Sequence, residues 1–164
     1  MATLNIGGRA ARRALVACAL AAGVAMAPQM AFAGECPADK VAPDATKANT
    51  TPAKEVTDTV LAATDLAKEP AHVAGRQLRL RKLVVQAGGV VPWHSHGDRP
   101  AIIYILDGEI AEYASNCAVP IVHKTGDVAR ETSVTSHWWK NTGAKAAVLL
   151  SADFFPDKAD DHMM

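Results

Sequence analysis

The strongest constraint on the fold is the rhythm of residues 77–155. Short β-branched and apolar runs recur there at 77–86, 90–95, 101–106, 109–114, 120–123, from 128, at 134–140 and at 146–155. Between them stand Gly88-Gly89, Asp107-Gly108, Gly126-Asp127 and Asn141-Thr142-Gly143. Runs this short cannot be helices, and turns this close leave no room for the crossover helices of a parallel sheet. The chain is therefore expected to be all-β, an antiparallel sandwich or barrel. Asp107-Gly108 is a tight hairpin signal. Residues 56–61 (Val-Thr-Asp-Thr-Val-Leu) read as a first strand, with a helix over 54–68 competing because of its alanines. Pro70 and Gly75 mark 66–75 as a loop.

The ends differ from this middle. Arg9, Arg12 and Arg13 precede an Ala-rich apolar run that stops at Pro28, and Ala31-Phe32-Ala33 is a small-residue cleavage site. That order of basic, apolar and small residues is a signal peptide over 1–33, so the expected mature chain starts at Gly34 and is periplasmic or secreted. Residues 34–55 read as an irregular N-terminal arm, 56–156 as the barrel and 157–164 as a flexible tail, whose His162 is read as solvated. None of the 17 acidic residues lies in 1–33, but three of the 17 basic ones do. The mature chain is thus acidic by three charges, which argues against nucleic acid and an anionic membrane surface as partners. Cys36 and Cys117 are the cysteines left after cleavage. In an oxidising compartment they are candidates for a disulfide pinning the arm to a distant loop; the alternative is two free thiols.

Chemistry concentrates around His94 and His96. Alternate side chains on a strand share a face, so the two imidazoles point the same way about 7 Å apart along the chain. Alone, His-x-His is weak evidence. It gains weight from its surroundings: Gly88 followed by five residues, then His94-x-His96, with Gly108 beyond, and later Gly126 leading to His137 and Asn141. Both spacings, in this order, resemble the two motifs of the cupins, small jelly-roll barrels also described as double-stranded β-helices, with likeness to the type-2 cupins. The resemblance covers about residues 78–154. It departs at the motif-one Glu, which would fall at 100 or 101, where this chain has Pro100 and Ala101, and at motif-two Pro and Gly, replaced by Thr132 and Val134.

The resemblance implies that His94, His96 and His137 enter the barrel lumen and bind one divalent metal ion; the alternative is three buried, hydrogen-bonded histidines. Zn, Fe, Mn, Ni and Cu all accept imidazole, so the ion is not distinguished. Three neutral ligands leave a dication uncompensated, which favours a small anionic ligand or substrate. Alternation places Trp139 on the His137 face as a pocket wall, and Trp93 and Trp138 on the opposite face, as core or as a homodimer patch. Tyr104 is out of phase with Ala101 and Ile103 and so outside the pocket. Ala101 should lie beside the histidines where the missing carboxylate would sit. Asp98 is a candidate fourth ligand, with a loop ion pair to Arg99 as its alternative. Arg79 and Arg81 share a face: in the lumen they would bind an anion, outside it they are a solvated edge. Glu109 and Glu112 have no motif role. Two functions stay open: a metal-dependent oxygenase, isomerase or lyase on a small anionic molecule, or a non-catalytic protein that binds a small ligand or metal.

Overall fold

The computed structural model describes residues 34–157. The expected signal peptide and most of the tail, His162 included, lie outside the described residues. Within them eight strands form: β1 (Lys54–Asp65), β2 (Arg76–Ser95), β3 (Ala101–Asp107), β4 (Glu109–Ala114), β5 (Ile121–Lys124), β6 (Val128–Glu131), β7 (Ser136–Lys140) and β8 (Ala147–Pro156). All pairings are antiparallel. The strands run in the order β5-β4-β7-β2-β8-β3-β6, with β1 added on β2. The expected all-β jelly-roll barrel is what forms. Over 54–65 the strand prevails over the helix, because Val56, Thr57, Thr59, Val60 and Thr64 are β-branched and pair with β2.

Gly88-Gly89 does not end a strand, as the sequence suggested. The chain passes through both glycines as one 20-residue strand, and the pair marks a change of partner. Before it β2 pairs with β8 from Arg76 to Val85; after it β2 pairs with β7, His94 opposite His137. Gly88 takes a φ of +76°, which only glycine adopts without strain, so the bend carries β2 from its partner β8 to its partner β7.

Along four of the strands the inward side chains change character partway. On β8 Ala147 and Leu149 give way to Ser151 and Asp153, on β4 Ile110 gives way to Glu112, on β6 Ala129 to Glu131, and on β2 Leu83 to Arg81; all ten named residues are buried. One end of the lumen is thus an apolar core of Leu83, Val85, Val91, Ile103, Ile105, Ile110, Ala129, Trp139, Ala147 and Leu149. Burying each larger side chain there stabilises the barrel by about 1.5–3 kcal/mol. The other end is polar and holds the site.

The end strands β5 and β6 are joined by a tight turn but do not close the ladder. The arm lies over them. Gly34 sits so close that a Cβ would come within 2.7 Å of His123 Nδ1 on β5 and 2.8 Å of the Val128 carbonyl on β6. Glu35 pairs with Arg130 of β6. Cys36 is disulfide-bonded to Cys117, the two Cα atoms 5.7 Å apart. The Ala42 amide donates to the Asn116 carbonyl, and the Ala118 amide to the Lys40 carbonyl. Cys36 and Val119 pack on a small second cluster of Ala114, Cys117 and Ile121. Among the described residues no helix is long and apolar enough to cross a membrane.

Candidate metal centre

His94 stands at the polar end of β2, His96 just beyond its last residue, and His137 faces His94 from β7. All three are buried. Their Nε2 atoms form a nearly equilateral triangle, 3.2 Å from His94 to His96, 3.1 Å from His96 to His137 and 3.1 Å from His137 to His94. Two imidazole nitrogens bonded to one ion at about 2.0–2.1 Å, with bond angles between octahedral and tetrahedral, stand about 2.8–3.4 Å apart. The triangle fits that donor set.

The far nitrogen of each ring fixes its orientation. His94 Nδ1 is 2.9 Å from the Pro92 carbonyl and His96 Nδ1 is 2.9 Å from the Arg99 carbonyl. A carbonyl only accepts, so both Nδ1 atoms carry the proton and both Nε2 lone pairs face the centre. His137 Nδ1 donates to Glu112 Oε1 at 2.7 Å. Ligating imidazoles are held this way, by a carbonyl or carboxylate behind the ring. Burial pushes His94 down to about 2 and His96 to about 3, with His137 and Arg99 adding to the effect, so both rings stay neutral ligands across the physiological range. For His137 burial acts in the same sense, but Glu131 and Glu112 outweigh it and its pKa is raised.

Trp139 takes the position alternation gave it. It is buried, its Nε1–H lies 3.3 Å from His137 Nε2, and it stacks on His123 with centroids 4.7 Å apart. Trp138 faces the other way and stacks on Tyr113 at 4.1 Å. Trp93 is half-buried and Tyr104 exposed. Ala101 points inward, between Glu131 on β6 and Asp153 on β8 in the two ladders. Asp98 corrects the expectation that it belongs to the pocket. Its exposed carboxylate turns outward to Arg76, Nη2 to Oδ2 3.1 Å, because Arg76 also holds the Asp98 carbonyl at 2.8 Å. Nor does it pair with Arg99, which is fully buried and bonds Asp153 at 3.0 Å. Arg79 and Arg81 prove to face inward: Arg79 forks onto Asp153 at 3.0 and 2.7 Å, and Arg81 is 5% exposed.

Sequence reasoning passed over a second group. Glu112 is buried between His137 and His123, whose Nε2–H donates to Oε2 at 2.8 Å. Burial would raise its pKa, but these two imidazoles hold it down to about 2. Glu131, 3.5 Å from His137 Nδ1, has no such donors, and burial together with Glu112 pushes it up to about 7. Glu112, Glu131 and His137 also satisfy the spacing of a metal group. The 2.7 Å contact between His137 and Glu112 is a charge-assisted hydrogen bond, so these carboxylates are better described as support for the His triad. The alternation of Ile110, Glu112 and Ala114 was the available signal that Glu112 faces inward.

Residues 81–153 match the cupin domain family model Cupin_2. The fold is similar to an uncharacterized conserved protein with a double-stranded β-helix domain from Klebsiella pneumoniae, at 18% identity and TM-score 0.51 over 65% of this chain and 81% of that one. It is also similar to the Cupin_2 domain of an XRE family transcriptional regulator from Enterobacter cloacae, at 10% identity and TM-score 0.50 over 63% of this chain and 99% of that one. The likeness to the Schizosaccharomyces pombe Cnp3 cupin domain has 17% identity and TM-score 0.48; it covers 64% of this chain and 64% of that one, just under two thirds of its length. At these identities the likeness is one of fold. No curated protein matches the chain.

Proposed function

The barrel is a type-2-like cupin domain, and from that premise we propose that the chain is an exported protein whose His94, His96 and His137 hold one divalent metal ion and present it to a small anionic molecule. The observation that carries this reading is the Nε2 triangle with every Nδ1 tied behind it. Three neutral imidazoles would leave open positions on the ion, and the bound ion would supply Lewis acidity or, as Fe(II), a site for O2 chemistry. The chain's own residues do the rest. Glu112 orients His137, the carbonyls of Pro92 and Arg99 orient its partners, and Trp139 with the apolar core walls the ligand from water. No carboxylate stands at Ala101, so the donor set itself brings no negative charge, and an anion completes the balance.

The basic, apolar and A-x-A segments of 1–33 support export, as does the Cys36–Cys117 disulfide, which persists in an oxidising compartment. Within this reading the chemistry is that of an oxygenase, isomerase or lyase. Metal analysis of the mature protein, then of His137→Ala, tests the site: wild type should hold one equivalent and the variant should lose it while keeping its β-sheet circular dichroism. An oxygen-consumption and turnover screen of the Fe(II)-loaded protein with small carboxylic acids tests catalysis; binding without turnover would assign the protein to ligand capture instead. A protein that takes up no divalent ion would sink the metal reading.

A further inference from the structure

The lumen side of the triad is bounded by Arg81, Ser151, His94, His96 and Trp139 over an apolar floor, and encloses about 20 Å³. That is room for one or two water molecules, so a ligand there has only a few heavy atoms. Arg81 is the cation in its wall. One end of its guanidinium donates to Asp58 of β1, and Nη2 lies 3.5 Å from Ser151 Oγ and 3.5 Å from Asp153 Oδ2. Its Nε–H is buried with no partner. Asp153 cannot satisfy it, because that one carboxylate already serves Arg79 at 2.7 Å and Arg99 at 3.0 Å. Three guanidiniums therefore share Asp153 and, at the margin, Asp58. The wall carries surplus positive charge and a spare donor, beside the face where the three Nε2 atoms converge. A buried donor without an acceptor is costly, and an acceptor arriving in the cavity removes that cost. A cationic or purely apolar guest gains nothing there.

Resting on the reading of the triad as a metal centre, we propose that this part of the lumen seats one small planar oxyanion, of the formate or bicarbonate type, and that Arg81 selects it through Nε–H with the Ser151 hydroxyl as a second donor. A guanidinium matches such an anion in plane and cannot give up its proton to it, which makes the selection one of charge and shape together.

The test loads the mature protein with Co(II), measures cobalt content, and titrates sodium formate while following the visible d–d spectrum. Wild type should show a saturable change. Arg81→Gln and Ser151→Ala should keep full cobalt content, with formate binding at least ten-fold weaker in the first and about three-fold weaker in the second. Lys82→Met, an exposed neighbour on the same strand, should match wild type. Thermal unfolding checks that each variant is folded; if Arg81→Gln is not, Arg81→Lys, which keeps the charge but loses the planar fork, takes its place with the same expected direction. Unchanged formate affinity in a folded, cobalt-loaded Arg81 variant overturns the proposal. If wild type retains no cobalt, the metal reading has failed on its own. The anion seat is then judged by formate titration of the metal-free protein, followed by the Arg81 Nε–H resonance: a shift sustains it and none overturns it.

Discussion

The polar end of the lumen has two poles, and they are built on opposite logic. On β2, β8 and the loop before β3, three guanidiniums, Arg79, Arg81 and Arg99, surround one carboxylate, Asp153. On β4, β5, β6 and β7, two carboxylates, Glu112 and Glu131, surround two imidazoles, His137 and His123. The triad lies between. In the acidic pole Glu112 has both oxygens engaged and its work is to aim His137, while Glu131 Oε1 and His123 Nδ1 stay buried without a partner. The basic pole has donors left over, on Arg81 and on Arg99 Nε and Nη2. The contrast teaches that the aiming of His137 and the recognition of an anion are assigned to different strands of the barrel. A change on one side should read out in metal affinity, and a change on the other in stability and anion affinity.

The largest break of this division is Asp153→Ala. It leaves two buried guanidiniums and the half-buried one of Arg79 facing one another without their shared anion, and should lower the unfolding free energy by about 3–5 kcal/mol in denaturant titrations. Next comes pH, applied to the metal-free protein. Burial depresses His94 to about 2 and His96 to about 3 from an ordinary 6.5. Below pH 6.5 the unfolded chain takes up protons that the folded chain refuses. The stability these rings contribute is therefore complete above 6.5 and falls with pH, by up to about 1.4 kcal/mol per unit for each. Glu131, raised to about 7, acts the other way between 4.5 and 7, since there the folded chain keeps a proton the unfolded chain has released. The expected profile falls from pH 6.5 to 4.5 with a net slope near that of one imidazole. It steepens below 4.5, where Glu112, held down to about 2, begins to add to both rings. Urea unfolding of the chelator-treated protein across this range measures it.

Glu112→Gln probes the acidic pole alone. It should weaken metal binding by about 10- to 100-fold, a typical loss when the group behind a ligating imidazole is removed, while formate affinity per bound ion stays unchanged. Competition with a colorimetric chelator reads the first and the cobalt spectrum the second. The smallest effect is expected from Ala101→Glu. It places a carboxylate between the poles and next to Glu131, so attraction to the ion is partly offset by repulsion from its neighbour. Metal affinity should rise by less than about ten-fold, or 1.4 kcal/mol, and become less sensitive to added anions.

The strand pattern was legible because turn residues and alternation act locally. Gly88-Gly89 was the exception: the same glycines that can end a strand here let it bend and change partners, and only the pairing with β7 and β8 distinguishes the two. His94 and His96 shared a face by alternation alone, and His137 was reached through motif spacing, which carries three-dimensional information that no single strand contains. The supporting residues were harder to read. Alternation showed that Arg79 and Arg81 lie on one face but not that the face was the lumen. Glu112 and His123 meet across the β4–β5 ladder and Glu131 arrives from β6, so their cluster exists only once three strands are placed. Asp98 misled because sequence nearness to His96 and Arg99 suggested partners, whereas the loop turns its carboxylate to Arg76, 22 residues earlier.

The arm over β5 and β6 bears on how the molecule exchanges its amide hydrogens. It is held covalently at Cys117, by an ion pair at Arg130 and by backbone bonds to the loop after β4. While the disulfide is intact, lifting Gly34 from His123 leaves the arm tethered a few residues away, and it falls back before solvent deuterium can enter. Cutting that link turns the same lift into a sub-global opening that bares β5 and β6 while β2 and β8 stay paired. Deuterium uptake should then appear in two stages, first at the end strands and only later in the apolar half of the lumen.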